Sequence, residues 1–413
     1  MLLMFSLSNF GPYAEEATLD MRAVASYKEH LYNTEQLPSG DRTLKVSAIY
    51  GANASGKSQF ILGYETFRDI VLNSFTSSFQ SATKGEDVSP LSTARNSLKN
   101  NYHPYRFCEE LRDTEFDVVF ETQKAVYSYG FAYNATEIVA EWLYVTSNET
   151  RRRSTIIERS SDTGINLGAS VRRECNKYVQ NIPRDVLVLS FFSSLTLKNA
   201  VFRETSDLID SMMTFARFMG GGDIDRLLDY FFENVYSDEN KDLLINYLQD
   251  IDLGIKDITV ERNNDSILVW SHHVGNGGKT YSIPIELESD GTKKMIALHF
   301  FIAYATTREA GLMVDELDAE LHPLLLRHIV NQFHIQESRG QLVFTAHDLS
   351  LLDKRYLRRD QIWFSAKDDY GRSELRSLAD FKVRNDASFE DAYLAGVFGA
   401  IPNIARTEET NGN

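Results

Sequence analysis

Gly51-Ala52-Asn53-Ala54-Ser55-Gly56-Lys57-Ser58 decides the fold, because it matches the phosphate-binding loop pattern GxxxxGK[ST]. Glycines let backbone N–H groups curl around a phosphate, Lys57 neutralises its charge, and the Ser58 hydroxyl is a ligand for Mg²⁺. The loop follows an apolar strand pattern over residues 44–50 and opens an apolar helix, as this motif requires. An incidental glycine-rich turn is the weaker alternative. The prediction is an ATP and Mg²⁺ site formed by Gly51, Asn53, Ala54, Ser55, Gly56, Lys57 and Ser58.

A second segment is the apolar run Leu312-Met313-Val314, which ends in Asp315 and Glu316. At a nucleotide site, Asp315 would hold Mg²⁺ through water and Glu316 would polarise the attacking water. Many strands end in acidic residues, so the pattern is informative only through its position downstream of the loop. We predict that Asp315 joins Ser58 at the metal and that Glu316 is catalytic.

The next apolar strand, residues 341–345, is followed by Ala346 and His347. A lone histidine at a strand end is more often structural. In open α/β sheets, however, ligands bind beyond the carboxyl ends of parallel strands, where an imidazole can hydrogen-bond a γ-phosphate. We therefore predict a catalytic role for His347.

A fourth segment, Glu288-Ser289-Asp290-Gly291-Thr292, precedes a long apolar helix. One interpretation is an ordinary N-cap, in which a side-chain oxygen accepts from free N–H groups. The other uses the same N–H groups and the helix dipole to contact a phosphate held by a second molecule. The two interpretations are compatible.

Composition excludes several classes of protein. Of 413 residues, 43% are apolar and 25% charged, as in soluble globular proteins, and no apolar run is long enough to span a membrane. The short apolar start has no basic leader or cleavage site, and two cysteines are too few for a disulfide framework, so we expect a cytoplasmic protein.

A formal net charge of −16 argues against a protein that coats nucleic acid. Basic groups at 151–153, 172–173 and 354–359 leave local DNA contact open, although solvated loops and helix ends are the favoured interpretation.

The pattern of elements predicts an α/β fold: a P-loop ATPase with a mixed sheet, an antiparallel β subdomain and an inserted helical lid. Strands and helices alternate over residues 293–345, whereas 115–133 read as a β-hairpin and 206–250 have helical periodicity. We predict an N-terminal part of the ATPase domain over 1–145, a helical insertion over 146–255, and a C-terminal part over 256–413.

In this order the four segments resemble the ABC-type ATPase superfamily, and within it the SMC-like and OLD-like branch, over about 1–60, 100–145 and 255–400. The signature of that branch often ends SxGT, as Ser289-Asp290-Gly291-Thr292 does. Asp318 resembles its D-loop aspartate, and His347 its switch histidine. The resemblance implies Mg²⁺-dependent hydrolysis of ATP to ADP and phosphate. It also implies a homodimer, or a multiple of dimers, in which Ser289, Gly291 and Thr292 close over the partner's ATP.

Further stretches resemble AAA-type ATP-binding subunits of bacterial anti-phage modules, including abortive-infection, PARIS-type and retron- or Septu-associated ATPases. They are the hairpin of Glu115-Phe116 and Tyr127 to Phe131, ESDGTKK, DELDAELHP and residues 393–402. The resemblance implies a sensor or scaffold that regulates a separately encoded effector protein after a viral trigger. OLD nucleases append a Toprim domain, for which the stretch after Pro402 is too short, so we expect chemistry beyond ATP hydrolysis to need another protein.

Other interpretations stay open. A DNA-repair or chromosome ATPase of the SMC/RecF type is the main alternative, and a binding module with a vestigial ATPase is another. A transporter subunit is disfavoured by the divergent signature, and no Q-loop glutamine is recognisable. Tyr13, after Phe10-Gly11-Pro12, is a candidate for stacking on adenine and equally for a turn residue packed on the sheet.

Overall fold

The structure is a computed structural model that describes residues 1–80, 98–215, 221–251, 253–263, 266–335, 339–382 and 388–401. Its strands, in chain order, are β1 (Leu2–Ser8), β2 (Ala17–Asp20), β3 (Thr34–Gln36), β4 (Arg42–Leu44), β5 (Val46–Tyr50), β6 (Thr114–Glu121), β7 (Ala125–Tyr133), β8 (Ile138–Ser147), β9 (Arg153–Ser160), β10 (Gly164–Leu167), β11 (Met212–Phe215), β12 (Ile255–Asn263), β13 (Ser266–Val274), β14 (Thr280–Pro284), β15 (Gly311–Val314), β16 (Gln341–Thr345), β17 (Ile362–Lys367) and β18 (Ser373–Ser377).

The α-helices connect and cover these strands. In chain order they are α1 (Lys57–Gln80), α2 (Leu98–Asn101), α3 (Ala169–Cys175), α4 (Val188–Ser193), α5 (Val201–Asp210), α6 (Gly221–Asn234), α7 (Asp238–Asp250), α8 (Asp290–Thr307), α9 (Pro323–Ile335) and α10 (Phe389–Leu394). None of the helices that the structure describes has both the length and the apolar character needed to cross a bilayer.

The mixed central sheet has the strand order β11-β15-β16-β5-β17-β18. Its strands run parallel except for β18, which pairs antiparallel with β17. Every residue of β5 is buried, as expected for a parallel strand covered on both faces. Parallel pairing brings the carboxyl ends of β5, β15 and β16 to one edge of the sheet, which places the three predicted motifs side by side.

A seven-stranded antiparallel sheet, β10-β9-β8-β7-β6-β1-β2, packs on the other side of α1. Alternate residues of β6, such as Phe116 and Val118, point inward, where Phe116 and Phe5 contact Phe67 of α1. The fold is therefore α/β with a mixed central sheet and a large antiparallel sheet, as predicted.

The opposite face of the central sheet is covered by α6, α8 and α9 together with the small sheet β12-β13-β14. The predicted hairpin at residues 115–133 is β6 and β7, which continue the large antiparallel sheet.

Residues 146–255 do not form a single helical lid, which differs from the prediction. The strands β9 and β10 extend the antiparallel sheet, and β11 forms an edge of the central sheet beside β15. Polar residues dominate the exposed parts of β9, so its period of two is weak, and β11 is too short to stand out between helical patterns. Only parts of this region are helical.

Candidate functional site

The phosphate-loop segment forms a tight turn between β5 and α1 that requires glycine at both ends. Gly51 has φ +156°, and a Cβ there would lie 2.3 Å from the Ser365 carbonyl oxygen. Gly56 has φ +112°, and its Cβ would lie 2.7 Å from the Ser373 hydroxyl. Because L side chains rarely adopt these conformations, neither position tolerates another residue without a shift of its neighbours.

Lys57 is the first residue of α1 and is buried inside this turn. Its Nζ donates to the carbonyl oxygens of Gly51 at 2.7 Å and Ala52 at 3.1 Å. Burial lowers the pKa of Lys57, and the carboxylates of Asp315 and Glu316 act in the opposite direction. The ammonium is thus held within electrostatic reach of both acidic residues.

The two carboxylate residues meet the neighbouring strand through Thr345, the last residue of β16. The Thr345 hydroxyl donates to Asp315 Oδ1 at 2.6 Å and accepts from the Glu316 N–H at 2.7 Å. Asp315 is buried, whereas Glu316 is half-buried and has φ +46°. Sequence reasoning missed Thr345, although it directly precedes Ala346 and His347.

Residues 315–320, which follow β15, are called the acidic turn. Asp318 links this turn to His347. Its Oδ2 accepts from the backbone N–H of His347 at 2.8 Å and of Asp348 at 2.6 Å. Its Oδ1 is buried and has no hydrogen-bond partner among the described residues. The His347 side chain is exposed. Asp318 therefore fixes the backbone that carries this side chain.

A cavity of about 450 Å³ opens in front of the loop, within the size range of ligand sites. Its walls include Gly51, Asn53 and His347 together with Ser365 of β17 and Ile401. The C-terminal segment also touches the loop directly, since Ala52 N–H donates to the Ala400 carbonyl at 2.8 Å. The sequence singled out residues 393–402 only by resemblance, and Pro402 lies outside the described residues.

These features fit a nucleoside triphosphate with Mg²⁺. The glycines let the turn close tightly against Ser365 and Ser373, the Ser55 hydroxyl is buried without a hydrogen-bond partner among the described residues, and Ser58 is exposed at the start of α1. Ser58 and Asp315 offer the hard oxygen ligands that Mg²⁺ prefers. When bound, Mg²⁺ would neutralise phosphate charge.

Ser289 is the N-cap of α8, and its hydroxyl accepts from the Thr292 N–H at 3.1 Å. Gly291 lies against the acidic turn, because a Cβ there would sit 3.0 Å from the Glu320 carbonyl oxygen. Ser289 is exposed and is absent from the walls of the cavity that holds His347. The structure therefore brings the loop, Asp315, Glu316, Asp318 and His347 together and leaves Ser289 of the signature segment exposed.

Lys294, which sequence reasoning passed over, connects α8 to the acidic turn. It is 2% exposed, and its Nζ donates to the carbonyl oxygens of Glu316 at 3.0 Å and Ala319 at 2.8 Å. Burial lowers the pKa of Lys294 to about 8, against the effect of nearby carboxylates led by Asp318. The neighbouring Lys293 instead pairs with Asp225 of α6 at 3.0 Å.

Two sequence-based candidates need correction. Tyr13 is fully buried, and its hydroxyl donates to the Gly56 carbonyl at 3.2 Å. It therefore supports the loop from the protein core and is not placed to stack on adenine. Arg358, within the basic group at 354–359, is buried and pairs with Asp360 at 2.7 Å. It is not exposed for contact with nucleic acid.

Comparison with known proteins defines the family. A family profile described as "AAA domain, putative AbiEii toxin, Type IV TA system" matches residues 46–353, about three quarters of the chain. The chain belongs to this family. The matched region of this AAA domain begins in β5 and includes the phosphate loop, the signature segment, Asp315, Glu316 and His347.

No curated protein matches the chain. Among solved structures, the AAA domain is similar to an Smc head domain bound to the C-winged helix domain of ScpA, with TM-score 0.41, 14% identity and coverage of 95% of this chain and 99% of that one. An SMC head domain from Thermotoga maritima has TM-score 0.40 and 12% identity, covering 92% and 99%. An Smc head domain with an extended coiled coil, bound to the C-terminal domain of ScpA derived from Pyrococcus furiosus, has TM-score 0.39 and 14% identity, covering 95% and 98%.

Proposed function

We propose that this AAA domain binds and hydrolyses ATP with Mg²⁺, and that its working form is a homodimer with nucleotide between the protomers. The observation that carries the proposal is that Thr345 bonds both Asp315 and Glu316, while Asp318 of the same turn bonds the backbone of His347, beside the glycine-bounded turn of the loop. Separate segments of the chain thereby share one edge of the central sheet.

Each residue has a defined part in this reaction. The loop and Lys57 hold the phosphates, Ser58 and Asp315 hold Mg²⁺, and Glu316 accepts a proton from the attacking water. His347 donates a hydrogen bond to the transferring phosphoryl group, where negative charge increases in the transition state. These groups bind, orient and neutralise charge, which is most of what phosphoryl transfer requires.

The dimer is supported by the position of the signature segment. Ser289 is the exposed N-cap of α8, and neither Ser289 nor Gly291 lines the cavity that holds His347. We propose that Ser289, Gly291 and Thr292 close over ATP held by the partner, with higher assemblies built as multiples of this dimer.

The direct test replaces Glu316 by Gln. We expect turnover to fall by about 100-fold or more while ATP is retained, because the water loses its base but the phosphate contacts remain. The dimer should accumulate with ATP, measured by light scattering after gel filtration. Glu309→Gln is a matched control, since Glu309 precedes the same strand β15 at its opposite end and also has a positive φ. Unchanged hydrolysis by the Glu316→Gln protein would remove the catalytic assignment.

We further propose that the ATPase acts in the cytoplasm as a sensor or scaffold that restrains a separately encoded effector in anti-phage defence, until a viral protein triggers its release. The toxin and toxin–antitoxin terms in the family description and the resemblance of the 393–402 stretch support this role. Co-purification with the product of a neighbouring gene, lost when ATP is hydrolysed, would support the proposal. Release of the effector independent of nucleotide would contradict it.

The alternative role, a DNA-repair or chromosome-maintenance ATPase, is favoured by one observation. Arg151 and Arg152 are exposed just before β9, Arg153 is exposed as its first residue, and Arg172 and Arg173 are exposed on α3. If duplex DNA stimulates ATP hydrolysis, and if Arg152→Glu with Arg173→Glu abolishes the stimulation, this alternative replaces the defence role.

A further inference from the structure

The signature helix α8 carries a buried lysine that reaches away from the signature. Lys294 follows Ser289 by little more than one turn, yet its Nζ contacts the Glu316 and Ala319 carbonyl oxygens of the acidic turn. A lysine ammonium with 2% exposure is costly unless polar groups solvate it. These carbonyl dipoles provide that solvation, so the side chain is tied to the conformation of the turn.

The acidic turn is held in a conformation that needs support. Glu316 has φ +46° and Glu320 has φ +62°, both in the left-handed region that non-glycine residues rarely occupy. The contact of Gly291 with the Glu320 carbonyl secures one part of the turn, and Lys294 secures its beginning and middle. A displacement of α8 would therefore move the backbone that directs the Glu316 carboxylate.

We propose that Lys294 is a positioning residue that holds the turn carrying Glu316 and so serves the nucleotide site of its own chain, although the signature on the same helix serves the partner's site. This inference rests on the proposed dimer. In that dimer, Ser289 completes the site whose loop belongs to the partner, whereas Lys294 acts on the site formed around its own loop. One helix thereby contributes to both nucleotide sites.

A single substitution gives the first test. Lys294→Met keeps the length of the side chain and removes its donors. We expect kcat to fall by roughly 10- to 100-fold, as for a catalytic group misplaced by about 1 Å, with the Kd for a non-hydrolysable ATP analogue within about twofold of wild type. Lys28→Met is a matched control, because Lys28 also donates to a backbone carbonyl, that of Ala25, at an exposed position. An unchanged kcat would overturn the proposal. Losses of ATP affinity and thermal stability as large as the loss of kcat would also overturn it, because they would indicate a general structural role.

Mixed dimers give the sharper test. Two differently tagged chains are co-expressed, purified through both tags and assayed for single-turnover hydrolysis. With Ser289→Arg and Lys294→Met on the same chain, our proposal predicts that both sites are impaired. With the two substitutions on opposite chains, one site keeps both wild-type groups, so about half of the wild-type amplitude should remain.

The opposite pattern would overturn the proposal. If Lys294 merely supported Ser289, both substitutions on one chain would spare a site, and their separation would impair both. A Glu316→Gln variant with full activity would instead show that the proposed function has failed. If Glu316→Gln is inactive and Lys294→Met is fully active, only the inference about Lys294 fails.

Discussion

The two large sheets of this protein differ in what their residues do. In the mixed central sheet, Asp315 and Glu316 after β15 are hydrogen-bonded to Thr345 at the carboxyl end of β16, and Glu316 has a positive φ. The antiparallel sheet, by contrast, contributes a layer of aromatic rings that pack against one another and against α1. The comparison indicates that chemistry is concentrated in one layer and that the other layer supplies stability.

The largest effect should come from the aromatic layer. Phe116 of β6 is fully buried, with its ring packed against those of Phe5 and Phe131. Phe116→Ala should lower the free energy of unfolding by about 3 to 5 kcal/mol, through lost burial and a residual cavity, measured by urea unfolding. Turnover per folded molecule should not change.

The matched variant is Phe344→Ala in β16, also fully buried. We expect it to lower both stability and turnover, because its neighbour Thr345 holds Asp315 and Glu316. If both variants alter turnover equally, it is wrong to assign chemistry to the central sheet and stability to the antiparallel sheet.

A smaller effect sharpens the comparison at Thr345 itself. Thr345→Val removes the hydroxyl that bonds both Asp315 and Glu316, which leaves buried polar groups unpaired. We expect about a tenfold loss of kcat and a loss of stability of about 1 to 3 kcal/mol. Thr205→Val in α5 removes a hydroxyl bonded only to the Val201 carbonyl, and it should leave kcat unaltered. A Thr345→Val protein with normal kcat would show that the hydrogen bonds from Thr345 to Asp315 and Glu316 do not contribute to the proposed chemistry.

The smallest effect concerns pH. Burial lowers the pKa of His334 to about 3 and that of His299 to about 4, from an ordinary value of 6.5. Below pH 6.5 the unfolded chain therefore binds protons that the folded chain excludes, so stability should fall as the pH drops. Each group contributes about 1.4 kcal/mol per pH unit in this window.

His334→Asn should reduce this slope, measured as the urea midpoint between pH 7 and pH 5. His299→Asn should reduce the slope in the same way, because burial lowers the pKa of His299 too. A pH dependence that is the same in all three proteins would show that His334 does not titrate with folding.

The sequence predicted the α/β fold and the order of the motifs because these depend on local patterns. The glycines at 51 and 56 and the strand that ends at Asp315 are defined by a few neighbouring residues. The predicted helical lid over 146–255 differs from the structure because β9 is polar on its exposed positions and β11 has only four residues. Pairing of β11 with β15 depends on residues about 100 positions away, which no local period records.

The sequence did not predict some parts of the site for the same reason, because they depend on contacts between distant residues. Lys294 resembles any helical lysine in sequence, and only tertiary packing brings its Nζ to the Glu316 carbonyl. The bond between Ala52 and Ala400 likewise joins backbone groups from opposite ends of the chain, so side-chain identity cannot reveal it. Tyr13 was open to two interpretations because an aromatic residue after a turn suits both a base-stacking role and a core role.

The most direct test of the composite site mixes two inactive proteins. Ser289→Arg spoils only the signature of its chain, and Glu316→Gln spoils only the base of its chain, so a dimer with one of each keeps one complete site. After exchange of subunits, the mixture should recover about a quarter of the wild-type ATPase rate, since half of the dimers are mixed and each has one of two sites intact. A mixture no more active than the two variants measured separately would contradict a nucleotide site shared between protomers.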